Sequence, residues 1–321
     1  MKFPMYNKNV MSFIQEIPSF VGDEPYVSAF GIQWIEHAKT QLDSHTGLDI
    51  TRDRLIRMFG PLYSKLDKKN ILEAGCGAGR FTEILVENDS LITSVDLSIA
   101  VVANYTNNGH NSNLRIVRAS ITELPFEEEQ FDIVFCPGVV QHTPNPKRTI
   151  QQLYKQVKPG GWLIFDQYRY NVSSFLRVTW LYRFFLKRLR PELGLRLTDF
   201  LVKIWLPLHR LVSGKRFLEI LLFRFSPITA HYTGYPNLSE EDQVEWARLN
   251  THDNLTDFHK HQTSVSRVKK LVADLEAING YFSIMPYTVE VRCQKPLIQN
   301  HDEQIINPRI VRMKGRSVVS G

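Results

Sequence analysis

Between residues 68 and 170 short β-rich runs alternate with stretches of helical spacing, and this alternation constrains the fold more than any other feature. The runs NILEAG, LITSVDLS, LRIVRAS, FDIVFCPG and GWLIFDQY are separated by RFTEILVEN, AVVANYTNN and PKRTIQQLYKQVK. Strands joined through helices are βαβ units. Such units build a parallel sheet with helices on both faces and put a ligand at the carboxyl ends of the strands. The fold class predicted is α/β, a doubly wound sheet. Two later runs, YFSIM and YTVEVRC, complete it after a helix over roughly 264–278 that Thr263 or Ser264 opens as a cap.

The rest of the chain divides by texture. Residues 1–65 read as a helical extension with breaks, 66–172 as the ligand-binding core and 173–230 as a basic amphipathic helical insertion. Residues 231–296 read as a polar, His-rich loop on the substrate side followed by the end of the sheet, and 297–321 as a disordered tail. The composition, 43% hydrophobic and 22% charged, is that of a globular protein. Cys76, Cys136 and Cys293 are odd in number and widely spaced, which argues against a disulfide framework and for a reducing compartment. The N-terminus shows no secretory pattern, and no apolar run reaches the roughly 18 residues of a spanning helix. The location expected is therefore cytoplasmic, with peripheral membrane contact as the alternative.

The stretch NILEAGCGAGRFTEIL carries Gly75, Gly77 and Gly79 at the first strand–helix junction. A dinucleotide fingerprint would have its third glycine where Arg80 stands, to pack the helix while its N-terminus faces a pyrophosphate. Glu73 before the loop places an anion where a pyrophosphate would be repelled and a cation favoured. S-adenosylmethionine, with a sulfonium, an ammonium and no phosphate, meets that condition. Asp96 closes the second strand, 23 residues after Glu73, where a carboxylate can accept both hydroxyls of a ribose.

EAGCGAGR, SVDLS, LPFEEEQFDIVFCPGVVQHTPNP and VKPGGWLIF, in that order, resemble the class I S-adenosylmethionine-dependent methyltransferases over about residues 68–168. The resemblance implies a seven-stranded, mostly parallel sheet whose last strand is antiparallel, and S-adenosyl-L-methionine as cofactor. Glu73, Gly75, Cys76, Gly77 and Gly79 would then surround the methionine part, Asp96 would hold the ribose and Leu97 would lie against the adenine. Ser120 stands where many relatives have an aspartate for the adenine amine, a bond that serine accepts without charge or that the Ile121 backbone takes over; Pro137 completes the set.

Methyl transfer needs alignment of the acceptor and exclusion of water, and needs a base when the acceptor must lose a proton. His142, after the fourth strand, is the candidate base, against the alternative of a loop-orienting histidine. Tyr168, ending the fifth strand, either touches the acceptor or packs on the sheet edge. His259 and His261 are read as substrate-side residues. With His252, Asp253 and Asp257 they form a cluster without a compelling third metal ligand, so no metal is expected. The acceptor expected is a hydroxyl or amine of a small molecule or glycan. A lipid-linked acceptor, or a module that binds cofactor without turnover, are the rivals.

Residues 173–230 hold eleven Lys/Arg against three Asp/Glu, a local balance of +8 within a chain of net +6. On a helical wheel Val178, Leu181, Tyr182, Phe185, Leu186 and Leu189 share one arc, with Arg183, Lys187 and Arg190 opposite and Pro207 and Gly214 as breaks. The simplest reading is a lid whose apolar faces pack together and whose basic faces are solvated. The competing one is attachment to an anionic membrane. Nucleic acid is not favoured, since the remaining chain is slightly acidic and carries no recognisable binding module.

Overall fold

The computed structural model describes residues 1–22, 28–171, 177–230, 237–297 and 309–311. Seven strands form the centre of one sheet: β3 (Asn70–Ala74), β4 (Leu91–Asp96), β5 (Leu114–Arg118), β6 (Phe131–Cys136), β7 (Val157–Tyr168), β8 (Ile278–Ile284) and β9 (Thr288–Gln294). Their order is β5-β4-β3-β6-β7-β9-β8, with β9 antiparallel to both neighbours. This is the seven-stranded arrangement expected. The whole sheet is larger, at ten strands, because β1 (Ser12–Ile14) and β2 (Ile17–Ser19) extend the β5 edge and β10 (Arg309–Val311) pairs with β8. Residues 12–19 thus form a hairpin inside a stretch read as helical.

Both faces of the central strands are covered, so their sequences are nearly continuous in apolar residues, and successive side chains go to opposite layers. Ile71, Ile133, Phe135 and Ile164 point to one layer, where α3 (Ile50–Phe59) and α4 (Arg80–Leu85) bring Leu55, Phe59, Phe81 and Leu85. Leu72, Val134 and Leu163 point to the other, where α6 (Pro146–Lys155) supplies Ile150 and Leu153 and α11 (Val265–Asp274) supplies Val268 and Val272. Phe135 is fully buried, with Phe59 and Phe81 edge-on to its ring at 4.9 and 5.2 Å. α5 (Val101–Asn108) follows β4 and packs against α4.

Local chemistry sets the ends of helices. Asn145 caps α6 by accepting from the Arg148 N–H, with Pro146 pre-set at the first turn. Ser264 caps α11 in the same way, and that helix ends at Asp274, earlier than expected. Ser239 opens α10 (Glu240–Thr256), whose first turn carries three acids facing the positive helix end. The polar stretch read as a loop over the substrate is therefore largely a helix; its residues 231–236 lie outside those described. The disordered tail expected over 297–321 likewise falls outside them, apart from residues 297 and 309–311.

The basic insertion is helical, as α7 (Thr179–Leu186), α8 (Pro191–Val212), which runs unbroken through Pro207, and α9 (Arg216–Phe225). Helix α1 (Ser28–Glu36) and α10 cover the inner side of α8. The division of faces differs from the simple lid reading. Arg177 donates to the carbonyls of Ser226 and Ile228, and Arg183 to those of Asn254 and Asp257. Leu181, Phe185 and Leu189 are exposed, whereas Leu186 alone of that apolar arc is buried. Guanidinium groups cap carbonyls because a buried C=O without a partner is costly.

Phe135→Ala is expected to cost about 3–5 kcal/mol, the range for emptying a buried aromatic site. Urea unfolding followed by circular dichroism measures it.

Candidate active site

The parallel order reverses between β3 and β6, and this opens a cleft of about 1140 Å³. Its floor is the turn from β3 into α4. Gly75, Gly77 and Gly79 adopt φ values of +83°, +53° and +90°, a region open to glycine at little cost. A Cβ on Gly75 would collide with Val139, and one on Gly77 would press on the indole of Trp34 at 3.3 Å. The loop is a cradle in which backbone replaces side chains. The Gly75 and Cys76 N–H groups donate to Val95, and the Gly77 N–H donates to Asp96 at 2.9 Å.

Asp96 therefore ties the loop to the end of β4, and its other oxygen accepts from the backbone and hydroxyl of Ser98. Carboxylate oxygens can accept more than one bond each, so the group remains competent toward a diol. Around this point the cleft is lined by Gly75, Cys76, Gly77, Asp96, Leu97, Ser120, Ile121 and Pro137, all anticipated from the sequence. Ser120 is engaged with the Thr122 hydroxyl at 2.8 Å. Burial, with Asp96 and Glu73 nearby, pushes the Cys76 thiol well above its usual range, so it is no nucleophile.

Two of the anticipated residues stand apart. Glu73 is fully buried and outside the cleft lining, because strand alternation turns it toward α4 rather than toward the strand end. It accepts from Thr82 and Ser94 at 2.5 and 2.7 Å, and burial raises its carboxyl to about 7 despite those bonds. Carboxylates that do line the cleft include Asp96 and Asp166. Gly79 is a packing residue: a Cβ there would overlap Asn104 and Asn108 of α5.

Asp166, near the end of β7, was not singled out in the sequence, although an acid in the apolar run GWLIFDQY is a readable signal. It accepts from the Gly138 N–H and from Arg54 at 3.0 Å, holding the turn after β6 against β7. Arg80 also lines the cleft, donating to Gln41 at 2.7 Å and lying over Phe81.

His142 sits in a single 3-10 turn after β6, lines the cleft and is 12% exposed. Its Nδ1 lies 2.7 Å from Asp257 Oδ2, at the end of α10. Burial alone would pull this imidazole down, but the charge and hydrogen bond of Asp257, with Asp253 beyond, outweigh it and raise the pKa above 6.5. Tyr168 packs edge-on to His142 at 5.4 Å, and burial with nearby Asp253 pushes its phenol up, so it stays protonated. Lys260 lies over the Tyr168 ring and donates to Asn254; burial and Arg183 bring its amine down to about 8.

The other histidines disperse. His252 bonds Gln33 on α1 and is held neutral by burial, its pKa lowered to about 4. His259 and His261 stack at 5.9 Å outside the cleft lining, so the structure does not bring them to the site. Nothing local in the sequence marked Asp257 as the partner of a histidine 115 residues earlier.

Glu73 carries a pH consequence. Its folded pKa lies above the ordinary 4.5, so the folded state holds the proton longer. The stability tied to that proton is complete below the ordinary value and is lost as pH rises through about 7. Glu73→Gln, which keeps a neutral group there, is expected to flatten thermal stability across this interval, measured by calorimetry at successive pH values.

Residues 72–165 match the family described as a methyltransferase domain. The chain is 28% identical over 167 residues to a ubiquinone biosynthesis O-methyltransferase of Pseudomonas entomophila, covering 51% of this chain and 72% of that one. It is 31% identical over 113 residues to the protein of the same name from Coxiella burnetii, covering 35% of this chain and 48% of the relative. A solved S-adenosylmethionine-dependent methyltransferase of Methanosarcina mazei superposes with a TM-score of 0.44 at 17% identity, over 74% of this chain and 98% of that one. The glycine cradle, Asp96 beside it and the apolar slot of Leu97 and Ile121 suit a nucleoside bearing a cationic sulfur and no phosphate. Residues 72–165 thus form a class I S-adenosylmethionine-dependent methyltransferase domain, with S-adenosyl-L-methionine as its cofactor.

Proposed function

We propose that this methyltransferase acts on a hydroxyl of a small molecule, with His142 as general base and Asp257 as its positioning residue. The observation that carries the reading is the His142–Asp257 pair on the cleft wall. An oxygen acceptor must lose a proton as the new bond to carbon forms, whereas a neutral amine attacks without one. When bound, the cofactor supplies a methyl group activated by its sulfonium. Gly75, Gly77 and Asp96 are assigned to hold the methionine and ribose parts, and Leu97 and Ile121 the adenine.

Asp257 fixes Nδ1 of the imidazole, so the acceptor proton goes to Nε2. Tyr168 is assigned to donate a hydrogen bond to the acceptor, since it keeps its proton. Trp34, Phe81, Trp246 and Leu249 give the same cleft apolar walls that exclude water, in keeping with a largely apolar acceptor. The similarity to O-methyltransferases of ubiquinone biosynthesis supports oxygen as the acceptor atom. A lipid-linked acceptor is the second reading, favoured by the exposed apolar residues of α7 to α9.

His142→Ala is expected to lower turnover by about 10²–10⁴-fold with adenosylhomocysteine affinity intact. Tritium transfer from labelled cofactor into a small-molecule extract, with label retained as an ether, reads the first; calorimetry reads the second. Asp96→Ala is expected to weaken cofactor binding by about 1–3 kcal/mol, the scale of charge-assisted hydrogen bonds.

The base must be neutral, so activity rises as pH passes through the elevated His142 pKa. Asp257→Asn removes the charge that elevates it. The acidic limb of the rate profile should then move to lower pH while kcat falls; an unmoved limb would remove Asp257 from this role.

A further inference from the structure

Helix α8 is amphipathic in an inverted sense. Its inner stripe, at i, i+4, i+8, i+12 and i+15, is Gly194, Thr198, Val202, Leu206 and His209, buried against α10 and Ser226. Its outer stripe, at i, i+4, i+7, i+11, i+15 and i+18, is Leu193, Leu197, Phe200, Ile204, Leu208 and Leu211, every one exposed. The larger side chains lie outside. Exposed apolar side chains also stand on α9, which packs against α8, at Phe217, which is 77% exposed, Ile220 and Phe225, and on α7 at Trp180, Phe184 and Phe185. Isolated exposed apolar residues are ordinary on a protein surface, but a periodic stripe along a 22-residue helix, with further exposed aromatic residues on the two helices beside it in sequence, marks an interaction surface.

The charge around the stripe identifies its partner. Eight Lys/Arg between residues 177 and 225 are exposed, against Glu192 as the exposed acid among the described residues there. Arg196 and Lys203 run along one flank of α8 at a spacing of seven, and Lys215 and Arg216 open α9. Apolar and aromatic side chains bordered by cations match the boundary between acyl chains and anionic headgroups. A second copy would bring two surfaces of the same sign together, which disfavours it. No helix among the described residues is long and apolar enough to cross a membrane, so attachment would be along the surface.

We infer that helices α7 to α9 form a docking surface for an anionic lipid bilayer, the outer stripe of α8 entering the acyl boundary and its basic flank meeting the phosphates. This holds whichever acceptor the enzyme methylates.

The test is flotation of the full chain with vesicles of phosphatidylcholine alone and of phosphatidylcholine mixed with phosphatidylserine, at low and high salt. Recovery with the anionic vesicles should exceed that with neutral ones roughly tenfold or more, and salt should reduce it. The triple variant Phe200→Ser, Leu211→Ser, Phe217→Ser and the triple variant Arg196→Gln, Lys203→Gln, Lys215→Gln should each lose binding. All six positions are exposed, and circular dichroism melting checks that each variant stays folded. Absent or equal recovery from the two vesicle types would overturn the proposal, as would undiminished binding by either variant. A lipid-free dimer in sedimentation equilibrium that the apolar variant dissociates would overturn it too, by showing a second copy on the stripe.

Discussion

The hydrogen bond from the Gly77 N–H to the Asp96 carboxylate joins the two parts of the molecule that must stay in register. One is a loop of left-handed glycines with no side chains to fix it; the other is the end of the neighbouring strand. With that bond the cradle keeps its shape, and the second Asp96 oxygen positions the start of the next loop through Ser98. A related device operates across the crevice, where Asp166 accepts from Gly138 and fixes the turn that leads to His142. Carboxylates at strand ends thus set the shape of the loops around the cleft. Substituting either one is felt in loop geometry.

The sheet explains why these loops can be shaped by so few contacts. Strands buried on both faces present two apolar layers, with Phe135 locked between Phe59 and Phe81 on one of them. A rigid platform of this kind lets the connections at its carboxyl edge vary while their anchor points stay fixed. The His142–Asp257 pair depends on that rigidity, since its members come from the turn after β6 and from the far end of α10.

Periodicity and order of motifs made the central sheet readable in advance: all seven of its strands coincide with apolar runs visible in the chain, down to the antiparallel β9. The glycine loop and Asp96 were readable as strand-end residues, whereas Ser120 came from the family resemblance. Glu73 misled because proximity in sequence to the loop is not proximity in space when a strand alternates sides. Asp257 was invisible as a partner because its pairing with His142 spans 115 residues and depends on how α10 packs. The insertion was misread in its faces. A wheel shows which residues share an arc, but only packing decides which arc meets the protein, and Arg183 turned inward to satisfy carbonyls.

That inward arginine links distant parts of the enzyme. Arg183 grips the backbone carbonyl of Asp257, whose side chain holds the histidine on the cleft wall. The peripheral helices and the imidazole are therefore joined through α10, by these bonds and by its packing on α7 and α8, so a shift of the outer layer would re-aim the imidazole without anything entering the cleft. With His142 as the proposed base, turnover would be sensitive to mechanical load on those outer helices.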